Sequence, residues 1–322
     1  MGRRARRDRG DVGRRPDGRL SPYSSLADLL DGSPSLAGAL GGLRQAAPLL
    51  APVLLLGEPG SGVSTVARAV HGASGRPGAL VEVDPATLPA SLFESELFGH
   101  RAGAFTGADR DAPGRVERAA GGTLLLDHVE EIPLSAQPKL LRLLAERRYR
   151  PVGGDERAAD VRFVAVGSEE LPGRVRRGLF RPDLYYRLEV MAFRVPPLRE
   201  RRDEIGALAA ALVADLAGRL DREAPPLSPA AVEWMAEHPW PGNLRELRNV
   251  LERALVLGGE GPLDPPRPTG LAGERPRPLR EVEREEILRA LAYTRGHQGR
   301  AASLLGISRK ALWEKRRRLG IP

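Results

Sequence analysis

Short apolar runs alternate with helical patterns along the first two thirds of the chain. The first, Val53–Leu56, is continuous and is followed by glycine, as expected for a buried strand of a parallel sheet. Similar runs recur at Ala79–Val83, Thr123–Leu126, Arg162–Val166 and Met191–Val195. In one helical pattern Ser135 is the candidate N-cap, and the apolar face that follows holds Leu140, Leu141, Leu143 and Leu144. The alternation predicts an α/β domain with a mainly parallel sheet over residues 24–195.

After Val195 the strand patterns stop and three helical patterns follow. The first holds Ile205, Leu208, Leu212 and Leu216. The second opens with Ser228-Pro229, an N-cap followed by proline at the first helical position, and the third opens after Pro241-Gly242-Asn243. These patterns predict a small helical subdomain over residues 196–257. The Pro/Gly-rich span 258–278 predicts a linker.

The last segment, residues 279–322, is helical again, with patterns at Leu279–Ala292, Arg300–Leu305 and Ser308–Leu319. A tight turn with Gly306 and the candidate cap Ser308 joins the last two, which predicts a helix-turn-helix. Base contacts are expected from Ser308, Arg309, Lys310 and Trp313, and phosphate contacts from Arg316, Arg317 and Arg318. For Trp313 an alternative stays open, because its ring could instead pack against the preceding helix.

The amino-acid composition and net charge indicate the cellular compartment and the kind of partner. The 322 residues include no cysteine and carry a formal charge of +8, with a pI near 10.4. Without cysteine there are no disulfides and no thiolate metal sites, and the chain has no apolar signal or membrane-spanning run. A cytoplasmic protein with a polyanionic partner and no membrane contact is therefore predicted. Residues 1–23 are arginine-rich and predict a disordered basic arm.

A glycine-rich loop follows the first predicted strand and precedes a helix, which is the setting of a phosphate-binding P-loop. The candidate nucleotide-binding residues are Gly57, Glu58, Pro59, Gly60, Ser61, Gly62, Val63, Ser64 and Thr65. The usual pattern has lysine where this chain has Val63, so the loop alone is weak evidence for a nucleotide. Asp127 ends a buried strand and, with Ser64, is the candidate Mg²⁺ ligand; the next residue, His128, stands where a water-polarising group is expected.

Residues 103–108 read Gly-Ala-Phe-Thr-Gly-Ala. The run is too glycine-rich for a helix interior and has no strand alternation, so it predicts a loop with Phe105 at its tip. An exposed phenylalanine calls for a partner that covers it. The alternative is a turn whose phenylalanine packs back against its own domain.

Several long motifs in sequence order resemble one family, the NtrC-like bacterial enhancer-binding proteins, which are AAA+ activators of sigma-54 RNA polymerase. The resemblance covers about Leu26 to Ile321. The matching stretches are GEPGSG at Gly57–Gly62, ESELFGHRAGAFTGA at Glu94–Ala108, GGTLLLD at Gly121–Asp127, FRPDLYYRLEV at Phe180–Val190, PPLRERRDEI at Pro196–Ile205, WPGNLREL at Trp240–Leu247 and GRAASLLGISRKAL at Gly299–Leu312.

The resemblance implies a role for particular residues. The sigma-54 contact would be made by Gly103, Ala104, Phe105, Thr106, Gly107 and Ala108. Arg181 and Arg187 would reach into the nucleotide site of a neighbouring protomer, and Arg245 would be the sensor arginine of the helical subdomain. Sites shared in this way imply an oligomer, homomeric or mixed, from a dimer to a hexameric ring. The terminal helices would form a Fis-type helix-turn-helix that binds enhancer DNA.

Departures from the family pattern cluster around the nucleotide phosphates. Val63 replaces lysine, His128 replaces glutamate, Asp84 replaces asparagine and Gly167-Ser168 replaces Thr-Asn; Arg101 also replaces an acidic residue before the loop. The expectation is that ATP with Mg²⁺ binds while hydrolysis is impaired, because charge placement supplies most of phosphoryl-transfer catalysis. One rescue is hypothesised, in which Asp84 orients His128 as a substitute base.

Two alternatives to this function stay open. One is a fully active ATPase that remodels the closed promoter complex, and the other is a helix-turn-helix repressor with a silent AAA+ domain and no sigma-54 contact. No sensory domain is expected to fit before Leu26, so regulation is expected from a partner, from expression level or from assembly.

Overall fold

The computed structural model describes residues 25–258, 261–268, 279–294, 296–319 and 321. The chain divides into two compact units, Met1–Arg267 and Pro268–Pro322. The predicted basic arm, residues 1–23, lies outside the described residues, as do residues 259–260 and 269–278 of the predicted linker.

A five-stranded parallel sheet forms the centre of the first unit. Its strands are β1 (Val53–Gly57), β2 (Leu80–Val83), β3 (Thr123–Leu126), β4 (Arg162–Gly167) and β5 (Met191–Val195). The strand order is β2-β3-β4-β1-β5, and every neighbouring pair is parallel. The predicted α/β class and parallel sheet are confirmed, as are the five predicted strands. Because the strands are parallel, the loops after all five carboxyl ends lie at one edge.

Helices cover both faces of this sheet. One face buries Leu54, Leu124 and Phe163, and the other buries Leu55, Leu125 and Val164, so successive strand residues enter opposite cores. The helices of this part are α1 (Leu26–Asp31), α2 (Pro34–Leu40), α3 (Leu43–Ala46), α4 (Val63–Gly72), α5 (Ala90–Phe98), α6 (Arg115–Arg118), α7 (Gln137–Glu146), α8 (Leu171–Arg176) and α9 (Pro182–Leu188). Two small antiparallel pairs join Gly99–His100 to Ala112–Pro113 and Arg148–Tyr149 to Arg157–Ala158.

The predicted N-cap of α7 was wrong. The helix begins at Gln137, with Ala136 at the cap position and no side-chain cap hydrogen bond. Ser135 lies instead in a turn that the Ala136 amide closes onto the Pro133 carbonyl at 2.9 Å. Gln137 is buried and donates through Nε2 to the Ile132 carbonyl at 2.9 Å, which fixes the chain before the first helical turn.

Three helices form the predicted helical subdomain: α10 (Ile205–Arg219), α11 (Pro229–Glu237) and α12 (Asn243–Leu257). Ser228 caps α11 as predicted, since its hydroxyl accepts from the Ala231 amide at 3.0 Å. Trp240 is buried and donates to the Met235 carbonyl at 2.7 Å. Leu263, within the predicted linker, is buried in this core, and its amide donates to the Pro226 carbonyl at 2.7 Å.

The second unit contains α13 (Leu279–Tyr293), α14 (Gln298–Leu304) and α15 (Arg309–Leu319). They share an apolar core that includes Ile287, Ala301, Ala302, Leu312 and Leu319. The Ser308 hydroxyl accepts from the Ala311 amide at 3.1 Å, so the predicted cap of the last helix is confirmed. Within the described residues of both units, no helix is long and apolar enough to cross a membrane.

Candidate functional site

The glycine-rich loop leads from β1 into α4 with the backbone of a phosphate cradle. Gly60 and Gly62 have φ of 79° and 94°, values that glycine adopts without strain. Gly62 is the N-cap of α4, so the first amides of the helix lack intrahelical acceptors and point to the loop. The Ser61 hydroxyl is buried and has no hydrogen-bond partner within the described part of the chain. Both observations fit a bound phosphate.

Val63 occupies the first position of α4 and is buried, with 8% of its surface exposed. It packs with Val66 and Val195 in the core beneath the loop and also lines the cleft above it. Valine therefore contributes packing here but no charge. At this point the α/β part can bind a phosphate through backbone amides and hydroxyl groups.

Ser64 and Asp127 meet at the edge of the sheet, as their assignment to one Mg²⁺ site requires. The Ser64 hydroxyl donates to Asp127 Oδ2 at 3.0 Å. Hydroxyl and carboxylate oxygens are the ligands that Mg²⁺ accepts in nucleotide sites, so this pair fits the ion.

Asp84 and His128 follow the neighbouring strands β2 and β3, and their side chains are in contact. His128 Nδ1 lies 3.2 Å from Asp84 Oδ1 and 3.8 Å from Asp127 Oδ1. His128 has a left-handed backbone (φ 50°, ψ 52°), which a histidine adopts uncommonly, and its side chain is 52% exposed. The predicted contact is therefore present. The arrangement can hold the imidazole in one orientation beside the Asp127 carboxylate.

The helical subdomain is hydrogen-bonded directly to the glycine-rich loop. The carbonyls of Pro59, Gly60 and Ser61 accept from Asn243 Nδ2 at 3.2 Å, the Leu244 amide at 2.9 Å and Arg201 Nη2 at 3.0 Å. Three consecutive loop carbonyls are thus bound by one subdomain. The shape of the loop depends on where that subdomain sits.

Glu58 adds charge to this contact. Its carboxylate binds both terminal nitrogens of Arg199, at 2.6 and 2.7 Å, and accepts from Asn243 Nδ2 at 3.1 Å. The hydrogen bonds from Arg199 hold the pKa of the Glu58 carboxyl below its usual value. Sequence motifs place Glu58 in the loop but do not reveal this pair, because the two residues are distant along the chain.

Gly60→Ala is expected to lower the midpoint of thermal unfolding and to weaken nucleotide binding. An added Cβ would meet the Gly242 carbonyl at 2.4 Å and Arg245 Cβ at 3.1 Å, and φ is positive. Gly121→Ala is the matched control, because its φ is also positive (69°) while nothing lies within 4 Å. Calorimetry of both variants measures the difference, and equal midpoints would contradict a contact-driven effect.

A cleft of about 460 Å³ lies between the glycine-rich loop, the first helices and the helical subdomain. Its apolar lining comes from both parts and includes Leu29, Leu36, Val195, Leu208, Leu212 and Leu244. Four arginines also line it, all in the helical subdomain: Arg201, Arg219, Arg245 and Arg248. Arg219 and Arg248 face Asp215 at 3.0 and 3.6 Å. An apolar cleft that ends at a phosphate cradle fits a nucleotide.

Of the two predicted protomer-bridging arginines, Arg181 precedes α9 and Arg187 lies in its last turn, and both are exposed. Arg181 forms a double hydrogen bond with Asp183 at 2.7 and 3.0 Å, and Arg187 Nη2 donates to the Leu144 carbonyl at 3.2 Å. Both therefore contact their own chain here. Neither is brought to the glycine-rich loop of the same chain.

Residues 103–108 form the tip of the hairpin between Gly99–His100 and Ala112–Pro113. The tip is closed by the Gly103 amide on the Ala108 carbonyl at 2.8 Å. Phe105 is 39% exposed, and its ring packs edge-on against His100 with centroids 4.9 Å apart. The predicted loop is confirmed. Its phenylalanine combines the two alternatives, since it is exposed at the tip and also contacts its own domain.

Asp111 anchors the base of this loop and was missed by sequence reasoning. Its carboxylate pairs with Arg101 and accepts from the Ala102 amide at 2.8 Å. The backbone hydrogen bond from Ala102, followed by that from Arg101, lowers the pKa of Asp111. In the sequence, a positive residue before the loop and an aspartate after it are the signal that could have indicated this contact.

Glu130 was also missed. It is 7% exposed, and its Oε1 accepts from the Ser168 amide at 3.0 Å. Its Oε2 would lie 3.2 Å from a Cβ at position 167. The glutamate therefore occupies part of the space that a side chain at position 167 would need. At the end of β4, only the backbone of Gly167 lies at this point.

The predicted DNA-contacting residues of α15 divide between its faces. Ser308, Arg309, Lys310, Trp313 and Arg317 are exposed, and Arg316 is half-buried. Lys315 and Arg318, by contrast, form ion pairs with Glu283 of α13.

Comparison with known proteins bears on all these elements. The family model of the sigma-54 interaction domain matches residues 29–194, that of the AAA+ ATPase lid domain matches residues 199–266, and that of Fis-family bacterial regulatory proteins matches residues 278–319. The chain belongs to the NtrC-like, sigma-54-dependent regulators. Its first domain is accordingly of a nucleotide-binding family, and its last is a DNA-binding helix-turn-helix.

Individual relatives align over nearly the whole chain. It is 40% identical to regulatory protein AtoC of Escherichia coli over 94% of this chain and 70% of that protein, and 43% identical to transcriptional regulatory protein ZraR of the same species over 88% and 67%. Among solved structures, NtrX from Brucella abortus superposes with a TM-score of 0.70 at 32% identity, over 89% of this chain and 68% of that one. NtrX has also been crystallised with ADP and with ATP.

Proposed function

We propose that this regulator binds enhancer DNA through α15, contacts sigma-54 RNA polymerase through residues 103–108, and binds ATP with Mg²⁺ without hydrolysing it rapidly. It would act in the cytoplasm as part of a homomeric or mixed oligomer, up to a hexameric ring. The observation that carries the proposal is the contrast between a loop presented on a hairpin tip and a phosphate cradle whose lysine position is a packed valine.

Binding of ATP is supported by the cleft and by the Ser64–Asp127 contact of 3.0 Å. The residues that would hold the nucleotide are those of the loop 57–65 together with Arg245, whose Cβ would lie 3.1 Å from a Cβ at position 60. A bound Mg²⁺, held by Ser64 and Asp127, would neutralise part of the negative charge of the nucleotide phosphates. Slow hydrolysis follows because the α/β part places no cationic side chain in the lining of the cleft.

The sigma-54 contact is tested by Phe105→Ala. We expect binding to purified sigma-54 in the presence of ATP to fall at least tenfold, since a partly exposed aromatic is a typical anchor of an interface. Nucleotide affinity should not change, because Phe105 contacts His100 and not the phosphate cradle. Leu92→Ala is the control, as Leu92 is a similarly exposed apolar residue (46%) on α5. Unchanged sigma-54 binding by Phe105→Ala would remove the loop from the proposal.

A second candidate function, a working ATPase activator, is favoured by the contact between Asp84 and His128 at 3.2 Å. An imidazole oriented by a carboxylate beside Asp127 could take the role of the family glutamate. Mg²⁺-dependent ATP turnover that both Asp127→Ala and His128→Ala abolish would establish this function over the first. Turnover unaffected by His128→Ala would leave the pair without a role.

A further inference from the structure

One face of α15 carries an exposed tryptophan among cations. An adjacent face of the helix holds Leu312 and Leu319, which are buried. With about 3.6 residues per turn, Arg309, Trp313 and Arg317 share the exposed face, with Lys310 beside them and Glu314 at its edge. Trp313 is 54% exposed and is not part of the core that α15 shares with α13 and α14. More than half of Trp313 is therefore accessible to a binding partner.

The cations of this helix have different partners. Lys315 and Arg318 both form ion pairs with Glu283, whose single negative charge compensates part of their positive charge. The Arg317 guanidinium instead lies over the Trp313 ring, 5.7 Å from its centroid. Such a cation–π contact favours this arrangement of the two side chains on the exposed face of the helix. The result is an apolar surface with positive charge next to it.

A polyanion with an apolar group at its surface fits this arrangement. In the DNA major groove the C5-methyl group of thymine is that apolar group, and aromatic side chains contact it. We propose that Trp313 reads thymine methyl groups in the major groove, while Arg317, stacked on its ring, contacts the adjoining phosphate. This inference rests on the DNA binding proposed above and assigns one source of its sequence specificity.

The test uses the full chain and a duplex pool randomised over about two helical turns. Duplexes are selected with the wild-type protein, and each thymine of the best duplex is then replaced by uracil, which lacks the methyl group. We expect wild-type affinity to fall roughly fivefold or more at one or two thymines. Trp313→Ala should bind the thymine duplex more weakly by a similar factor and show no further loss with uracil. Trp313→Phe, which keeps an apolar ring, should retain part of the uracil effect.

Tyr293→Ala and Arg318→Ala are the controls. Tyr293 is an exposed aromatic (79%) on α13, and Arg318 is a cation of the same helix that is paired with Glu283. Both should keep the wild-type response to uracil, and an unchanged unfolding midpoint of Trp313→Ala would verify its fold. A Trp313→Ala protein that binds DNA with the full uracil response would overturn the inference. Failure of the wild type to bind any duplex at low salt would instead overturn the proposed DNA binding, and the inference with it.

Discussion

Val63→Lys is expected to tighten ATP binding by at least ~10-fold, because it returns a positive charge to the phosphate cradle. Combined with His128→Glu, it is expected to raise the rate of ATP hydrolysis by several orders of magnitude, on the order of 10³-fold. The site already has the Ser64–Asp127 contact and the positive φ angles of Gly60 and Gly62, so the backbone cradle would not need rebuilding. Calorimetric titration with ATP and release of inorganic phosphate measure the two effects.

The control separates charge from packing. Val63 is buried beneath the loop, so any longer residue disturbs its contacts with Val66 and Val195. Val63→Met is unbranched and long like lysine but uncharged, and it should bind ATP no better than the wild type. Adding Asp127→Ala to the double variant should abolish its turnover. Equal hydrolysis by the wild type and the double variant would show that the lost lysine and glutamate do not limit the reaction.

The central strands of this fold were predictable because they are buried on both faces. Val53–Gly57 is a continuous apolar run that ends in glycine, and Arg162–Gly167 is apolar after its first residue. The edge strands Leu80–Val83 and Met191–Val195 are partly exposed, and each includes a charged residue. Helix starts were less certain. Ser228 caps its helix, but Ser135 does not, since a turn closed at Ala136 intervenes and the sequence does not distinguish a serine in a turn from one at a cap.

Contacts within the site could be predicted where the family resemblance brings residues together. It places Ser64 with Asp127 and Asp84 with His128, and both pairs are in contact, at 3.0 and 3.2 Å. The pairing of Glu58 with Arg199 could not be predicted, because it depends on how the helical subdomain packs on the loop. The contact of Asp111 with the base of the loop could not be predicted either, because it requires the Ala102 amide, which reaches Asp111 only in the folded hairpin.

Asn243→Ala is expected to lower the free energy of unfolding by ~3 kcal/mol, since it leaves buried polar groups unpaired. Asn243 is fully buried, and its Oδ1 accepts from the Leu198 amide at 2.8 Å while Nδ2 donates to Glu58 and to the Pro59 carbonyl. Its φ is 52°, a value that asparagine tolerates better than alanine, which adds strain to the lost hydrogen bonds. Urea unfolding of the full chain, followed by tryptophan fluorescence, measures the change.

Two further substitutions assign the cause of this loss. Asn249→Ala, at an exposed position of the same helix, should change the free energy of unfolding by less than ~0.5 kcal/mol. Asn243→Gly removes the side chain without the strain of a positive φ, so it should be less destabilising than Asn243→Ala but still far from the wild type. If Asn243 links the subdomain to the phosphate cradle, both variants at position 243 will also bind ATP more weakly than Asn249→Ala. Loss of stability with unchanged ATP affinity would mean that the loop keeps its shape without the hydrogen bonds from Asn243.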